Sequence, residues 1–290
     1  MVDRRGFWDI LQNIDRRIIY VILFVILAWT TYKPLRFSSM TPTENPKRLY
    51  AAVEACPDDK VIFIMGFWGY GTQGENWPQF ESLAYHCLKS GKKFAFMGGD
   101  ALSIHLYNQI VEDMEAKVLR ETGREAKYGV DWINFGFKSP PVALGAVTAY
   151  YVGFADDVRG FVGKDYRDKE IASYPIMQDI RRADDFYMIF EISAGLEGIY
   201  NWIGVIKPRH PRPLYAGAVT AIVAPNAYPY VNSGQLVSLI DGYRGAAEYE
   251  ILVEHEGKGY RMSTAQSFGH LLIFFLLILG NIGYFATRKK

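Results

Sequence analysis

Two uncharged apolar runs lie near the ends of the chain, and the sequence between them alternates strand-like and helix-like patterns. The first run is Ile18–Tyr32, IIYVILFVILAWTTY; the second lies within Met262–Thr287 and has the core LLIFFLLILGNIGYF. The first holds 15 uncharged residues between Arg17 and Lys33. At a helical rise of ~1.5 Å per residue it falls short of a ~30 Å hydrocarbon layer. Arg17 and Lys33 can snorkel to extend it, and Trp29 and Tyr32 suit the interface. No small-residue cleavage site follows, since the next residues are Lys33-Pro34-Leu35-Arg36, so an uncleaved anchor is expected rather than a signal peptide. Ahead of it, Phe7, Trp8, Ile10, Leu11 and Ile14 recur at helical spacing among charges, which predicts an amphipathic helix on the membrane surface. The resulting division is 1–17 cytoplasmic amphipathic segment, 18–33 first transmembrane helix, 34–47 linker, 48–261 α/β domain, 262–287 second transmembrane helix and 288–290 basic tail.

Within the middle domain, Val61–Met65 is a continuous apolar run bounded by polar residues and glycine, as a buried parallel strand requires. Phe80, Leu83, Ala84, Cys87 and Leu88 then share one helical face, and Gly91 ends that helix. Lys93–Met97 reads as a second strand, and Leu106, Ile110, Met114 and Val118 as the buried stripe of a long helix. Val130–Phe137 is a third strand. Ser139 and Pro140 read as a helix cap and first turn, opening a helix that contains Val142–Phe154. Phe186–Ile192 and Leu214–Val223 are the fourth and fifth strands. A last helix is predicted from near Ser233, with Leu236, Leu239, Ile240 and Tyr243 on one face. The charged stretch Asp156–Arg182 reads as an insertion or a lid. This alternation predicts an α/β fold: a Rossmann-like, doubly wound, mainly parallel sheet of about five strands, flanked by one transmembrane helix at each end.

Charge adds orientation. Arg4, Arg5, Arg16 and Arg17 precede the first run, and Arg288, Lys289 and Lys290 follow the second, which places both termini in the cytoplasm and the middle domain outside. A formal net charge of +1 with no long Lys/Arg run gives no argument for nucleic acid. Cys56 and Cys87 stand alone, outside any CxxC pair or zinc spacing, and are expected as separate buried thiols.

Candidate chemistry gathers where parallel strands end, because ligands of open α/β sheets bind beyond the carboxyl ends. Those ends read Gly66–Gly74, Gly98-Gly99-Asp100, Gly136–Ser139, Ser193-Ala194-Gly195 and Pro225-Asn226. The candidate ligand-binding residues are Gly69, Gly71, Gly74, Gly99, Asp100, Ser139, Ser193, Gly195 and Asn226. Gly69 to Gly74 also match GxGxxG, with Asp100 closing the next strand where a dinucleotide fold keeps its ribose carboxylate. Against that reading, Phe67 and Trp68 push the motif away from the strand, and Pro78 sits where the fingerprint helix should be running. His86, His105, His210 and His255 are scattered, there is no GxSxG elbow, and no set of ligands converges on a metal. Gly242, Gly245 and Ala246 form a small-residue stripe suited to close packing, either on the domain's own sheet or on a neighbouring subunit.

These features lead to an expected non-catalytic scaffold or sensor subunit of a membrane complex, with the membrane and other membrane-protein subunits or a second copy as partners. A membrane-tethered small-molecule-binding domain serving a transporter or signalling partner is the alternative. An enzyme on a membrane-adjacent substrate, using Asp100, Ser139 or Ser193, is a third reading. No cofactor is indicated by the sequence.

Overall fold

Each apolar strand of the middle domain carries side chains to both faces, so helices must cover both. The computed structural model describes residues 14–33, 40–101, 103–139 and 146–287. In chain order the elements are α1 (Arg16–Tyr32), α2 (Glu44–Glu54), β1 (Val61–Phe67), α3 (Gln73–Ser90), β2 (Lys93–Gly98), α4 (Ile104–Thr122) and β3 (Trp132–Phe137). There follow α5 (Ala146–Asp156), α6 (Val158–Val162), β4 (Met188–Ser193), α7 (Glu197–Asn201), β5 (Leu214–Val219), α8 (Ala224–Asn232), β6 (Leu239–Asp241), α9 (Gly242–Leu252) and α10 (Lys258–Thr287). The chain divides into two units, Met40–Gly259 and the pair of end segments Met1–Ser39 with Tyr260–Lys290.

In the first unit all six strands are parallel, in the order β3-β2-β1-β4-β5-β6. That is the doubly wound order in which the chain reverses direction across the sheet between β1 and β4. Alternation along each strand divides the core in two. Ile62, Ile64, Phe94, Phe96, Phe190 and Ile192 pack beneath α2, α3, α4 and α9. Phe63, Met65, Met97, Phe135 and Ile189 pack beneath α5, α6, α7 and α8. Phe63 is the hub of the second layer, with ring centroids of Phe154, Phe186 and Phe135 at 4.5, 5.1 and 5.9 Å.

Four expectations change. The sheet has six strands, because Leu239–Asp241 pairs with Gly217–Val219 as β6 and the final helix begins only at Gly242. A three-residue strand is too short for period-2 alternation to compete with the helical spacing of Leu236, Leu239, Ile240 and Tyr243. The third strand starts at Trp132 rather than Val130, and the fifth ends at Val219 rather than Val223. The stretch Asp156–Arg182 is a packed layer of short turns: Val158, Val162, Ile171, Ile176, Met177 and Ile180 are buried in the second core, and the Arg159 guanidinium donates to the carbonyls of Met177, Gln178 and Ile180. Pro78 lies inside α3, which runs through it from Gln73, at the cost of one backbone bond in its second turn. The expected cap at Ser139 has its Pro140 partner and residues 140–145 outside the described residues, and α5 is described from Ala146. Cys56 and Cys87 are both free and buried.

In the second unit, one helix among the described residues, Lys258–Ala286, is long and apolar enough to cross a membrane. The first apolar run forms a helix of 17 residues that begins with Arg16 and Arg17. At ~1.5 Å per residue it reaches only about 26 Å, so it is short of a ~30 Å hydrocarbon layer, as its length in sequence already implies. Its outward side chains are nonetheless apolar, with Phe24 72% and Val25 57% exposed. The amphipathic segment before residue 14 and the tail Arg288-Lys289-Lys290 lie outside the described residues.

Phe63 gives a direct test of the second layer. Phe63→Ala removes a fully buried ring and its three stacked contacts. It should cost about 3–5 kcal/mol in denaturant unfolding of the purified protein, and a loss under 1 kcal/mol would remove Phe63 from that role.

Candidate functional site

The ends of parallel strands leave backbone groups unpaired, and their treatment here shapes the site. Gly99 N–H donates to Gly66 O at 2.8 Å, and Ala194 N–H to Phe67 O at 3.2 Å, so the loops after β1, β2 and β4 are drawn together past the last ladder residues. Between them lies a cleft of about 260 Å³, lined by Phe67, Trp68, Gly69, Gly71, Thr72, Gly99, Asp100 and Ala194. It sits at the reversal between β1 and β4, where open α/β sheets bind ligands.

Trp68 is the fixed wall of the cleft. The Tyr107 hydroxyl donates to Trp68 O at 2.6 Å, the Trp68 N–H donates back to that hydroxyl at 3.4 Å, and the two rings lie 4.6 Å apart. Gly66 makes this possible, because a Cβ there would meet the Tyr107 ring at 2.6 Å. Trp68 is 2% exposed, yet its indole N–H has no hydrogen-bond partner; the same holds for the buried hydroxyl of Thr72 and for Asn76 Oδ1. Buried polar atoms without partners are uncommon, at about 1–3 kcal/mol each, and three of them stand within nine residues at the head of β1.

Behind the loop after β1, α3 carries a network of buried amide side chains. Asn76 Nδ2 donates to Gln79 Oε1 at 2.9 Å and to Ser193 O at 3.4 Å. Gln79 Nε2 donates to Val219 O at 2.9 Å and Gly242 O at 3.3 Å. The Glu75 carboxylate accepts from Ala221 N–H at 2.7 Å. One helix thereby satisfies carbonyls at the ends of β4 and β5 and at the start of α9.

The sequence candidates separate on this geometry. Gly69, Gly71, Gly99 and Asp100 line the cleft. Asp100 Oδ1 accepts from Ser103 N–H at 3.0 Å and from its hydroxyl at 2.8 Å, which caps α4, while Oδ2 lies 3.5 Å from the position a Cβ on Gly69 would take. Gly74 is outside the cleft lining, in the first turn of α3, with the Tyr243 hydroxyl packed where a side chain would be. Ser193 is buried beside the cleft and its hydroxyl accepts from Gly195 N–H at 3.2 Å. Gly195 packs against Glu197. Ser139 and Asn226 are exposed, on the loop after β3 and in the first turn of α8. Gly242, Gly245 and Ala246 are all buried within the domain: a Cβ on Gly242 would meet Ala221 at 2.9 Å, and one on Gly245 would meet Ile240 at 3.1 Å. The GxGxxG pattern is therefore split, with two glycines at the cleft and the third in packing. β1 extends to Phe67, so only Trp68 separates strand and motif.

Sequence reasoning passed over Phe67, Trp68, Thr72 and Ala194, although all four are interleaved with the glycines and serine it selected. It also passed over Glu191, the one charged residue in the apolar strand run Phe186–Ile192. Glu191 is 1% exposed, two residues before the end of β4. Its carboxyl accepts from Trp202 Nε1 at 2.9 Å and from the Tyr151 hydroxyl at 3.4 Å. Burial outweighs those two hydrogen bonds and pushes its pKa up to about 8, so it is largely protonated at neutral pH. The four histidines outside the end segments are committed to structure. His86 bridges Tyr249 at 2.6 Å and Glu54 at 2.7 Å, and His255 meets Glu81 at 2.9 Å. His210 lies between Asp156 and Asp184 at 3.0 and 3.1 Å, and His105 meets the Tyr166 hydroxyl at 2.7 Å. None of them lines the cleft. Among the described residues no group of three His, Cys, Asp or Glu side chains is placed to hold a metal.

The geometry defines a doubly wound α/β domain with a small cleft at its switch point, lined by aromatic rings, glycine backbone, one hydroxyl and one carboxylate. No protein-family profile matches the chain, and neither a curated protein nor a solved structure is found similar to it.

Glu191 supplies a pH test. Its folded pKa, about 8, lies above the ordinary value of 4.5. Between those values the unfolded chain has released a proton that the folded chain keeps, so stability falls as pH rises, by up to about 1.4 kcal/mol per unit. Glu191→Gln keeps the shape and stays neutral. Thermal unfolding from pH 5 to pH 8 should show a falling Tm for the native chain and a much flatter profile for the variant. Parallel profiles would mean that Glu191 does not hold that proton.

Proposed function

We propose that this chain is a membrane-anchored, non-catalytic sensor domain that holds a small ligand in the switch-point cleft. The observation that carries the proposal is the cleft itself, which opens at the switch point of the sheet and is lined by glycine backbone, Phe67, Trp68, Thr72 and Asp100. Support for a non-catalytic role comes from the side chains around the cleft. Asp100 is engaged in capping α4, Ser193 is buried with its hydroxyl on Gly195, and none of the described histidines lines the cleft. An activated nucleophile or general base needs a partner within hydrogen-bond reach.

The anchoring part of the proposal has α10 spanning the bilayer and α1 joining it as a second, shorter span extended by Arg17 and Lys33. Both termini are then cytoplasmic and the domain extracytoplasmic, by the bias of Arg4, Arg5, Arg16, Arg17 and the final Arg288-Lys289-Lys290. Within the end-segment unit, Gly269 of α10 lies 3.5 Å, measured from an ideal Cβ, from Leu27 of α1, a close approach of the kind paired membrane helices use. A scaffold role beside other membrane subunits is compatible with the same anchors, and the ligand would then report through them.

Two outcomes are expected. In native mass spectrometry of the chain extracted from its own membrane in mild detergent, the native protein should carry a small bound mass. Gly71→Trp should lose it without a change in Tm, because a Cβ on Gly71 meets nothing within 4 Å and the indole would fill the cleft. An adduct retained by the variant, or none on the native chain, would contradict the cleft as the site. Separately, a chain ending before Met262 should stay in the membrane pellet after carbonate extraction if α1 is a second span, and its release would leave α10 as the sole anchor.

A further inference from the structure

The two ends of the sheet differ in polarity, and the chain leaves the domain at the apolar one. Resting on the anchored reading above, in which α10 spans a bilayer, and not on the ligand, we infer that the loops at the carboxyl end of the sheet dock on the lipid surface, with Tyr70 and Ile222 inserted among the headgroups. Docking of this kind places the strand-end loops, and the cleft they surround, at the headgroup layer.

Charge is partitioned along the strand direction. The segments entering β1, β3, β4 and β5, residues 57–60, 123–131, 181–187 and 207–213, each carry three or more charged side chains. The segments leaving β1, β4 and β5, residues 68–72, 194–196 and 220–223, carry none. The loop after β2 has Asp100, which caps α4 through Ser103, and the loop after β3 has Lys138, whose ammonium donates to Lys164 O at 3.1 Å. Glu197 follows only in the first turn of α7. Surface that faces water ordinarily mixes charges of both signs, as the entering segments do and the leaving segments do not.

Apolar exposure follows the same division. Ile222, in the loop after β5, is 86% exposed, the highest of any large apolar side chain among the described residues and above Tyr32 and Phe24 of α1. Tyr70, in the loop after β1, is 56% exposed. The two loops meet at one helix start: the Glu75 carboxylate, in the first turn of α3, accepts from Ala221 N–H at 2.7 Å, and Tyr70 lies just before that helix. Leu119 and Val130, toward the opposite end, are each less than half exposed and stand beside Arg120 and Asp131. A single exposed apolar residue is ordinary, but an isoleucine and a tyrosine on neighbouring uncharged loops have the composition of a lipid-facing surface. There a tyrosine ring sits at the headgroup level and an aliphatic side chain reaches the acyl boundary.

The route of the chain identifies the occupant. α3 starts at the carboxyl end of the sheet, because it follows β1, so its residues mark height along the strands. After α9, the carbonyl of Val253 accepts from the Lys89 ammonium, in the last turn of α3, at 3.0 Å. His255 then meets Glu81 at 2.9 Å, and Lys258 lies over the Trp77 ring, 3.2 Å from its centroid. The last residues of the domain thus climb α3 from its final turn to its second. Gly259, the final residue of that unit, follows the same course on α9, where a Cβ on it would meet Ala246 in the second turn at 3.0 Å. The membrane-length helix α10 begins at Lys258, so the tether leaves the domain in the half that bears Tyr70 and Ile222. Trp77 and Lys258 are a pair suited to a membrane interface. What such a tether brings to the apolar loops is lipid.

The test uses the full chain in phosphatidylcholine vesicles, with a nitroxide on Tyr70→Cys, Ile222→Cys, Asp59→Cys or Arg212→Cys, one position per sample. Cys56 and Cys87 are buried and resist the label. Power saturation compares collisions with oxygen, which concentrates in lipid, and with a water-soluble nickel chelate. The labels at Tyr70 and Ile222 should favour oxygen, and those at Asp59 and Arg212 the chelate. Ile222→Glu, placed in the chain labelled at Tyr70, should lower the ratio of immersed to water-exposed label by about tenfold, the loss expected for one aliphatic side chain no longer buried in lipid. Its Tm should not change, because the side chain is exposed in the folded domain. The inference is overturned if Tyr70 and Ile222 labels reach the chelate as freely as the other two, or if Ile222→Glu changes nothing. It is equally overturned if those labels are shielded from oxygen and chelate alike, as a second copy or another protein on this face would make them. Anchoring is read separately by carbonate washing. A full chain that stays with the vesicles while its labels remain in water overturns the docking alone, and a full chain that washes off removes the anchored reading and the docking together.

Discussion

The structure of the middle domain depends on how α3 disposes of backbone carbonyls at the ends of the parallel strands. A parallel strand that stops leaves its last carbonyls without a ladder partner, and burying them unpaired costs about 1–3 kcal/mol each. Asn76 and Gln79, both buried, are aimed at two of these groups, Ser193 O and Val219 O, and at Gly242 O in the first turn of α9. Because the two amides belong to one rigid helix, they fix the ends of β4 and β5 and the entry to α9 relative to the loop after β1. The cleft lies beyond the strand ends: β1 and β4 stay paired to Phe67 and Ser193, the loops after β1, β2 and β4 surround the space, and the Tyr107–Trp68 pair holds one wall.

Much of this was legible in the sequence, for reasons that can be traced to particular residues. The strand runs Val61–Met65 and Phe186–Ile192 and the helical stripe from Leu106 to Val118 are long, strongly apolar and bounded by glycine, so periodicity identified them. The glycine loop was legible as a turn at the strand ends, and Gly69, Gly71, Gly99 and Asp100 line one cleft. What failed was short or local. β6 has three residues, fewer than a period-2 pattern needs to compete with helical spacing. Ser193 stands at the end of β4 next to Ala194 of the cleft lining, and its hydroxyl accepts from Gly195 in a local turn, something only coordinates reveal. Trp68 and Thr72 were set aside because an aromatic residue in a glycine motif reads as an interruption, whereas here it is the wall.

Glu191 marks a different limit. A lone acid in an apolar strand is visible in sequence, but its consequence depends on three-dimensional neighbours. Trp202 and Tyr151 donate to it, and Gly198 leaves room for its carboxyl, so it stays in the core and holds a proton near neutral pH. The end helices show a similar division. Composition identified both apolar runs, yet the length criterion separates them, because two arginines occupy the first turn of α1 while α10 has its last charge before the membrane-length stretch at Arg261. Membrane association therefore rests on α10 in the first instance, and the two-span topology on a charge bias at the termini.

The account turns on whether the cleft is occupied when the protein is in its own membrane. The most direct measurement is an experimental density map of the full chain purified from its native membrane in mild detergent without added ligand. The account predicts ligand density between Trp68, Gly71 and Asp100. A map in which that space is empty, or in which the loop after β1 closes over it, would contradict it.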